Sequence, residues 1–134
     1  MDTHRNDRPK SRVFIITDES LFMLGLENLL RRETALEVVC SEEDVDRAIE
    51  RIIELMPDAV IVSETSALYE PEVLAAHILN LKEARDIKVI GLNLQNNLMC
   101  VYPGEQRLIH NLQDLVEAIG QPAGTLTVGP CQGG

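Results

Sequence analysis

Apolar residues recur along this chain in two rhythms. RVFII (12–16), AVIVS (59–63) and IKVIGLNL (87–94) are nearly continuous apolar runs, and LEVVC (36–40) is a shorter one. A strand of that kind carries apolar side chains on both faces, which suits a parallel sheet covered on both sides. Between the runs, apolar positions return at helical spacing. Leu21, Leu24 and Leu29, with Leu26 and Leu30, predict a first helix. Ser20 is its expected N-cap, and Arg31 and Arg32 suit its C-terminal end. Ser41 is expected to cap a second helix that buries Val45, Ala48, Ile49, Ile52, Ile53 and Met56 and stops at Pro57-Asp58. A third helix is predicted over 70–85, with Pro71 in its first turn. Its periodic apolar or semi-apolar positions are Val73, Leu74, Ala76, His77, Leu79 and Leu81, with His77 expected to be partly buried.

The rhythm changes after residue 94. Gln95-Asn96-Asn97 is a turn cluster, and LMCVY (98–102) follows with no room for a helix. This predicts a β-hairpin at or near a sheet edge, extended by a second turn at Pro103-Gly104 into 107–109. Asn111 and Asp114 then form a capping box for a last helix, NLQDLVEAI. The element order β-α-β-α-β-α-β-β-α predicts a doubly wound α/β domain over 12–120 with a mostly parallel, five-stranded sheet. Residues 1–11 read as a disordered arm and 121–134 as a flexible tail, in which TLTV (125–128) is a candidate extra strand.

Composition narrows the function. At 134 residues, 45% of them hydrophobic and 3% aromatic, the chain can build one aliphatic core. Its net charge of −10 argues against nucleic acid and anionic membrane as partners. The three cysteines, Cys40, Cys100 and Cys131, are scattered, as expected of free thiols in a reducing, cytoplasmic compartment. The first residues contain no apolar segment of a secretory signal. No Gly-rich phosphate loop and no His/Cys cluster of metal spacing occurs, so no cofactor and no metal are expected.

In a sheet of this kind the functional crevice lies at the carboxyl ends of the strands. That directs attention to Thr17-Asp18-Glu19, Cys40, Ser63-Glu64-Thr65 and Asn93. The segments carrying those residues resemble a known family. RVFIITDESLFMLGLENLL resembles the opening of a two-component response-regulator receiver domain: a strand, an acidic pair, then a helix with a central glycine, here Gly25. VVCSEEDVDRAIERIIELMPDAVIVS resembles its next segment, and LQDLVEAI its last helix. The resemblance implies a flavodoxin-like fold, with the family's fourth helix replaced here by a hairpin.

It also implies a phosphoryl site, and here this chain departs from the pattern. The family's acidic pair appears as Thr17 and Asp18, its acceptor aspartate as Ser63, its switch hydroxyl as Asn93, and its Lys-Pro pair as Tyr102-Pro103. A receiver uses a nucleophilic Asp beside a cation held by carboxylates. Thr17, Asp18, Ser63, Asn93 and Tyr102 therefore form a degenerate acceptor pocket. Asp18, Glu19 and Glu64 offer at most a weak cation site, since metal ligation needs better-placed oxygens than a few neighbouring loop acids. Ser63 has no neighbouring base, so enzymatic activity is not expected.

The resulting expectation is a phosphorylation-independent pseudo-receiver, a signalling module that binds a protein partner or a second copy of itself. Leu98, Met99, Val101 and Tyr102 of the hairpin are its expected interaction edge. The alternative is a small-molecule sensor that uses the emptied pocket at Thr17, Asp18, Ser63 and Asn93.

Overall fold

The structure, a computed structural model, describes residues 10–18, 20–65, 69–81, 87–93, 95–102 and 105–120. Glu19, Pro103-Gly104, the far end of the third helix, Cys131 and the expected tail strand lie outside the described residues. β1 (Ser11–Ile16), β2 (Leu36–Glu42), β3 (Ala59–Ser63) and β4 (Lys88–Asn93) are followed by β5 (Leu98–Val101) and β6 (Glu105–Leu108). The helices are α1 (Leu21–Arg31), α2 (Val45–Leu55), α3 (Pro71–Leu79) and α4 (Leu112–Gly120). No helix of the described residues is long and apolar enough to cross a membrane.

One sheet of six strands runs in the order β2-β1-β3-β4-β5-β6. β1 pairs in parallel with β2 and β3, and β3 with β4. β5 turns back antiparallel to β4, and β6 antiparallel to β5. The sheet thus has one strand more than the five expected. The reason is that Glu105-Gln106-Arg107-Leu108 pairs along the whole of β5 although only its last residue is aliphatic. Backbone hydrogen bonds, not burial, make that strand.

Two apolar layers sandwich the central strands. Val13, Ile15, Ile61, Ile90 and Leu92 pack under α1 and α4. Phe14, Ile16, Val60, Val62 and Val89 pack under α2 and α3. Every residue of β3 is buried, as a strand apolar on both faces requires.

The helices settle differently from the sequence expectation in several places. Met23, Leu26 and Leu30 form the buried stripe of α1, whereas Leu21, Leu24 and Leu29 are exposed. The spacing 23-26-30 follows the turn of the helix, and so many leucines hid which of them faced inward. Ser20 caps α1 by accepting a hydrogen bond from Met23 N at 3.2 Å. α2 is capped by Asp44, not Ser41, because β2 continues through Ser41 to Glu42. Ala48 and Ile52 are its buried residues, while Ile53 and Met56 face water. In α3, Leu74, Ala75 and Ile78 are buried, and Val73 and His77 are exposed. The Asn111–Asp114 capping box forms as expected, with Asp114 N on Asn111 Oδ1 at 3.1 Å and Asn111 N on Asp114 Oδ2 at 3.3 Å.

Loops tie the sheet's lower end. Arg12 donates to the C-terminal carbonyls of α2, Leu55 O at 2.6 Å and Met56 O at 3.1 Å. Asp58 stands at the start of β3 and accepts from Arg12 N at 2.8 Å. Lys88 is 5% exposed and donates to Ala118 O of α4 at 2.6 Å. Burial, and then the charge of Arg107, lower its pKa from 10.5 to about 8, against the pull of Asp58.

That shift has a definite sign. Between about pH 8 and 10.5 the unfolded chain keeps the Lys88 proton and the folded chain has lost it. Lys88 therefore adds stability as pH rises through that window. The wild type should gain on Lys88→Met when unfolding is compared at pH 7 and pH 10. An unchanged difference between the two proteins would contradict this.

Candidate functional site

The carboxyl ends of β1, β3 and β4 bring Thr17, Asp18, Ser63 and Asn93 to one end of the sheet. Each has a local hydrogen-bonding role there. Asp18 Oδ1 accepts from Ser20 N at 3.0 Å, holding the turn into α1. Asn93 Oδ1 accepts from Gln95 N at 3.1 Å and Asn96 N at 3.2 Å, shaping the hairpin turn. Thr17 is buried, and its N donates to Glu42 O at 3.0 Å.

Ser63 is 4% exposed. Its hydroxyl lies 3.3 Å from both Thr65 Oγ1 and Thr65 N, so it serves the turn that ends β3. Its backbone N donates to the Tyr69 hydroxyl at 2.8 Å, and that hydroxyl donates to Ile16 O at 3.3 Å. One phenol thus joins the ends of β1 and β3, where the resemblance puts the acceptor chemistry. Tyr69 escaped the sequence reading because it stands in a loop with no periodic pattern. Its aromatic ring in a chain with four aromatic residues was the one available signal.

Tyr102 stands elsewhere. β5 is antiparallel, so the residue after it lies beside Val89 and not at the crevice; Tyr102 N donates to Val89 O at 3.0 Å. Its side chain packs against the α2/α3 layer, and its hydroxyl donates to Glu64 Oε2. Glu64 follows Ser63 and points to the opposite face, as strand alternation demands. Its side chain lies over Gly91, where a Cβ would come within 2.8 Å of Glu64 Cγ. Gly91 is thus the cradle for this carboxylate. Burial, the hydrogen bond from its own hydroxyl to Glu64 and the charge of Glu64 all push the Tyr102 phenol well above its usual pKa.

The hairpin residues separate by face. Met99 and Val101 are buried under α4, whereas Leu98 and Tyr102 are half-buried on the other face. β5 is paired on both sides, so the open edge expected of it belongs to β6. No group of three or more His, Cys, Asp or Glu among the described residues could hold a metal ion. Cys40 and Cys100 are free thiols, each with a pKa raised chiefly by burial.

A cavity of about 590 Å³ opens beside Tyr102, between α3 and the β5–β6 face. It does not reach Thr17, Asp18, Ser63 or Asn93.

The strand order, paired helix layers and carboxyl-end crevice define a receiver-like α/β fold with a mixed sheet. Among solved structures, the signal receiver domain of the response regulator NarL from Mycobacterium tuberculosis superposes with a TM-score of 0.55 and 22% identity, over 63% of this chain and 67% of that one. At that identity the likeness is one of fold. No protein-family model and no curated protein matches the sequence.

Removing the carboxylate should free the phenol. In a Tyr69→Phe background, which leaves Tyr102 as the one remaining tyrosine, Glu64→Gln should bring the ultraviolet phenolate transition to lower pH. Gly91→Ala should do the same and cost about 1–3 kcal/mol of stability through overpacking. Titration curves that overlay would show that Glu64 does not hold Tyr102.

Proposed function

We propose that this chain is a phosphorylation-independent pseudo-receiver, a signalling module that works by binding another protein or a second copy of itself. The receiver-like fold supports a signalling role in a two-component or transcription-regulatory setting. The observation that carries phosphorylation independence is at Ser63. Its hydroxyl is engaged with Thr65, its amide is engaged with Tyr69, and no carboxylate occupies the position. A serine without a base cannot replace an aspartate toward a phosphoryl donor. Asp18 Oδ1 serves the α1 turn and Glu64 is drawn to Tyr102 on the other face, so the described carboxylates do not converge as a divalent cation requires.

In this reading β5 and β6 take the place of the family's fourth helix. Their outer face, with Leu98, Tyr102 and Leu108, is the interaction surface, and the β6 edge adjoins it. Leu98 and Leu108 are cross-strand partners, which makes one apolar patch of them. A net charge of −10 disfavours nucleic acid and anionic membrane as partners. No enzymatic activity is inferred, because the Ser63 hydroxyl faces a threonine and not an imidazole. The sensor reading at Thr17, Asp18, Ser63 and Asn93 is disfavoured because the Asp18, Ser63 and Asn93 side chains and the Tyr69 phenol already serve the strand ends.

Intact-mass spectrometry after incubation with acetyl phosphate and magnesium tests phosphorylation independence. The wild type should remain unmodified, and Ser63→Asp alone should not restore acceptor activity, since Thr17 and Tyr69 stay in place. A stable phosphoryl adduct on the wild type would refute the reading.

A further inference from the structure

The sheet's α2/α3 face is left open beyond α3. In register across β3, β4, β5 and β6 stand Val62, Gly91, Cys100 and Gln106. Val62 is covered by the α2/α3 layer, and Gly91 carries no side chain. The Glu64 side chain lies over that glycine instead, fixed by Tyr102. Glu64, lying over Gly91, floors a cavity of about 590 Å³, whose size matches small-molecule sites of roughly 300–1,000 Å³.

α3 forms the wall. Glu72, Ala76, Leu79 and Asn80 fall on one side of the helix and line the cavity together with Ala75. The opposite wall is Cys100, Tyr102 and Gln106. The described lining therefore combines two carboxylates, a phenol and two carboxamides with a short apolar strip. It contains no Lys, Arg or His.

We propose that this cleft binds a small organic cation, an ammonium head on a short apolar chain. Glu64 and Glu72 would take the head and the Ala75–Leu79 strip the chain. Three observations support this class over others. An anion would meet two carboxylates and no cationic residue among the described lining residues. A hard divalent ion needs more clustered oxygens than the described residues supply. The carboxylates already act across the space, since Glu64 and Glu72 both raise the pKa of Cys100 and of Tyr102. Glu64 is also preorganised: Gly91 admits it and Tyr102 holds it, so little ordering entropy is lost on binding. Glu64 and Tyr102 enter both this proposal and the reading of phosphorylation independence, but ligand binding here and phosphoryl uptake there are read by separate measurements, so either can fail alone.

A matched set of probes tests it: hexylammonium, hexanol and hexanoate, each titrated calorimetrically into the full chain. Hexylammonium should bind saturably with a Kd of about 1 mM or below, and hexanoate should not bind. Glu64→Gln and Glu72→Gln should each weaken it about tenfold, the loss of one charged hydrogen bond. Glu72 is exposed on α3, so its replacement leaves the core intact, and thermal unfolding confirms that each variant is folded. Equal binding of the three probes, undiminished binding by both Gln variants, or no hexylammonium binding at that concentration would each overturn the proposal.

Discussion

Water has to be kept from both faces of the central strands. β3 is buried throughout, β4 at all but its last residue and β1 over its last four residues. A strand of that composition is stable only where helices lie above and below it, and a single chain achieves this through crossovers that alternate strand and helix. α1 and α4 on one face, α2 and α3 on the other, follow from that demand. The crevice at the carboxyl ends follows in turn, since each parallel strand must leave the sheet at the same end.

β5 and β6 obey a different rule. β5 alternates half-buried and buried residues, so only its Met99 and Val101 face needs cover, and α4 supplies it. The other face stays partly open, and the cavity and the Leu98–Leu108 patch both lie there. At the strand ends stand turn-forming side chains and the Tyr69 bridge. At the side, Gly91 and Tyr102 arrange the Glu64 carboxylate.

How much of this the sequence disclosed depended on how far each pattern discriminates. The continuous apolar runs of β1, β3 and β4 admit one interpretation, and the caps at Ser20 and Asn111 use side chains with a specific hydrogen-bonding job. LMCV was harder, because Leu98 and Cys100 are as apolar as Met99 and Val101 and hide the alternation. β6 was underrated for the opposite reason: Glu105, Gln106 and Arg107 show no burial, and its backbone pairing is invisible in side-chain pattern. In α1 an excess of leucine gave a stripe in two registers, and only the fold decides for Met23, Leu26 and Leu30. The place of Ser63 at the carboxyl end of β3 was legible from its distance to Pro57-Asp58. Tyr69, Gly91 and the Glu64–Tyr102 pair were not, since they depend on contacts between separate strands.

The central claim is that the phosphoryl switch has been dismantled and that recognition has moved to the open face of the sheet. Measuring the solution mass of the purified protein by sedimentation, with and without magnesium and beryllofluoride, tests that claim most directly. The account predicts one and the same mass under all conditions, because neither the cation nor the phosphoryl mimic finds its ligands. A mass that changes when magnesium and beryllofluoride are added together would contradict it.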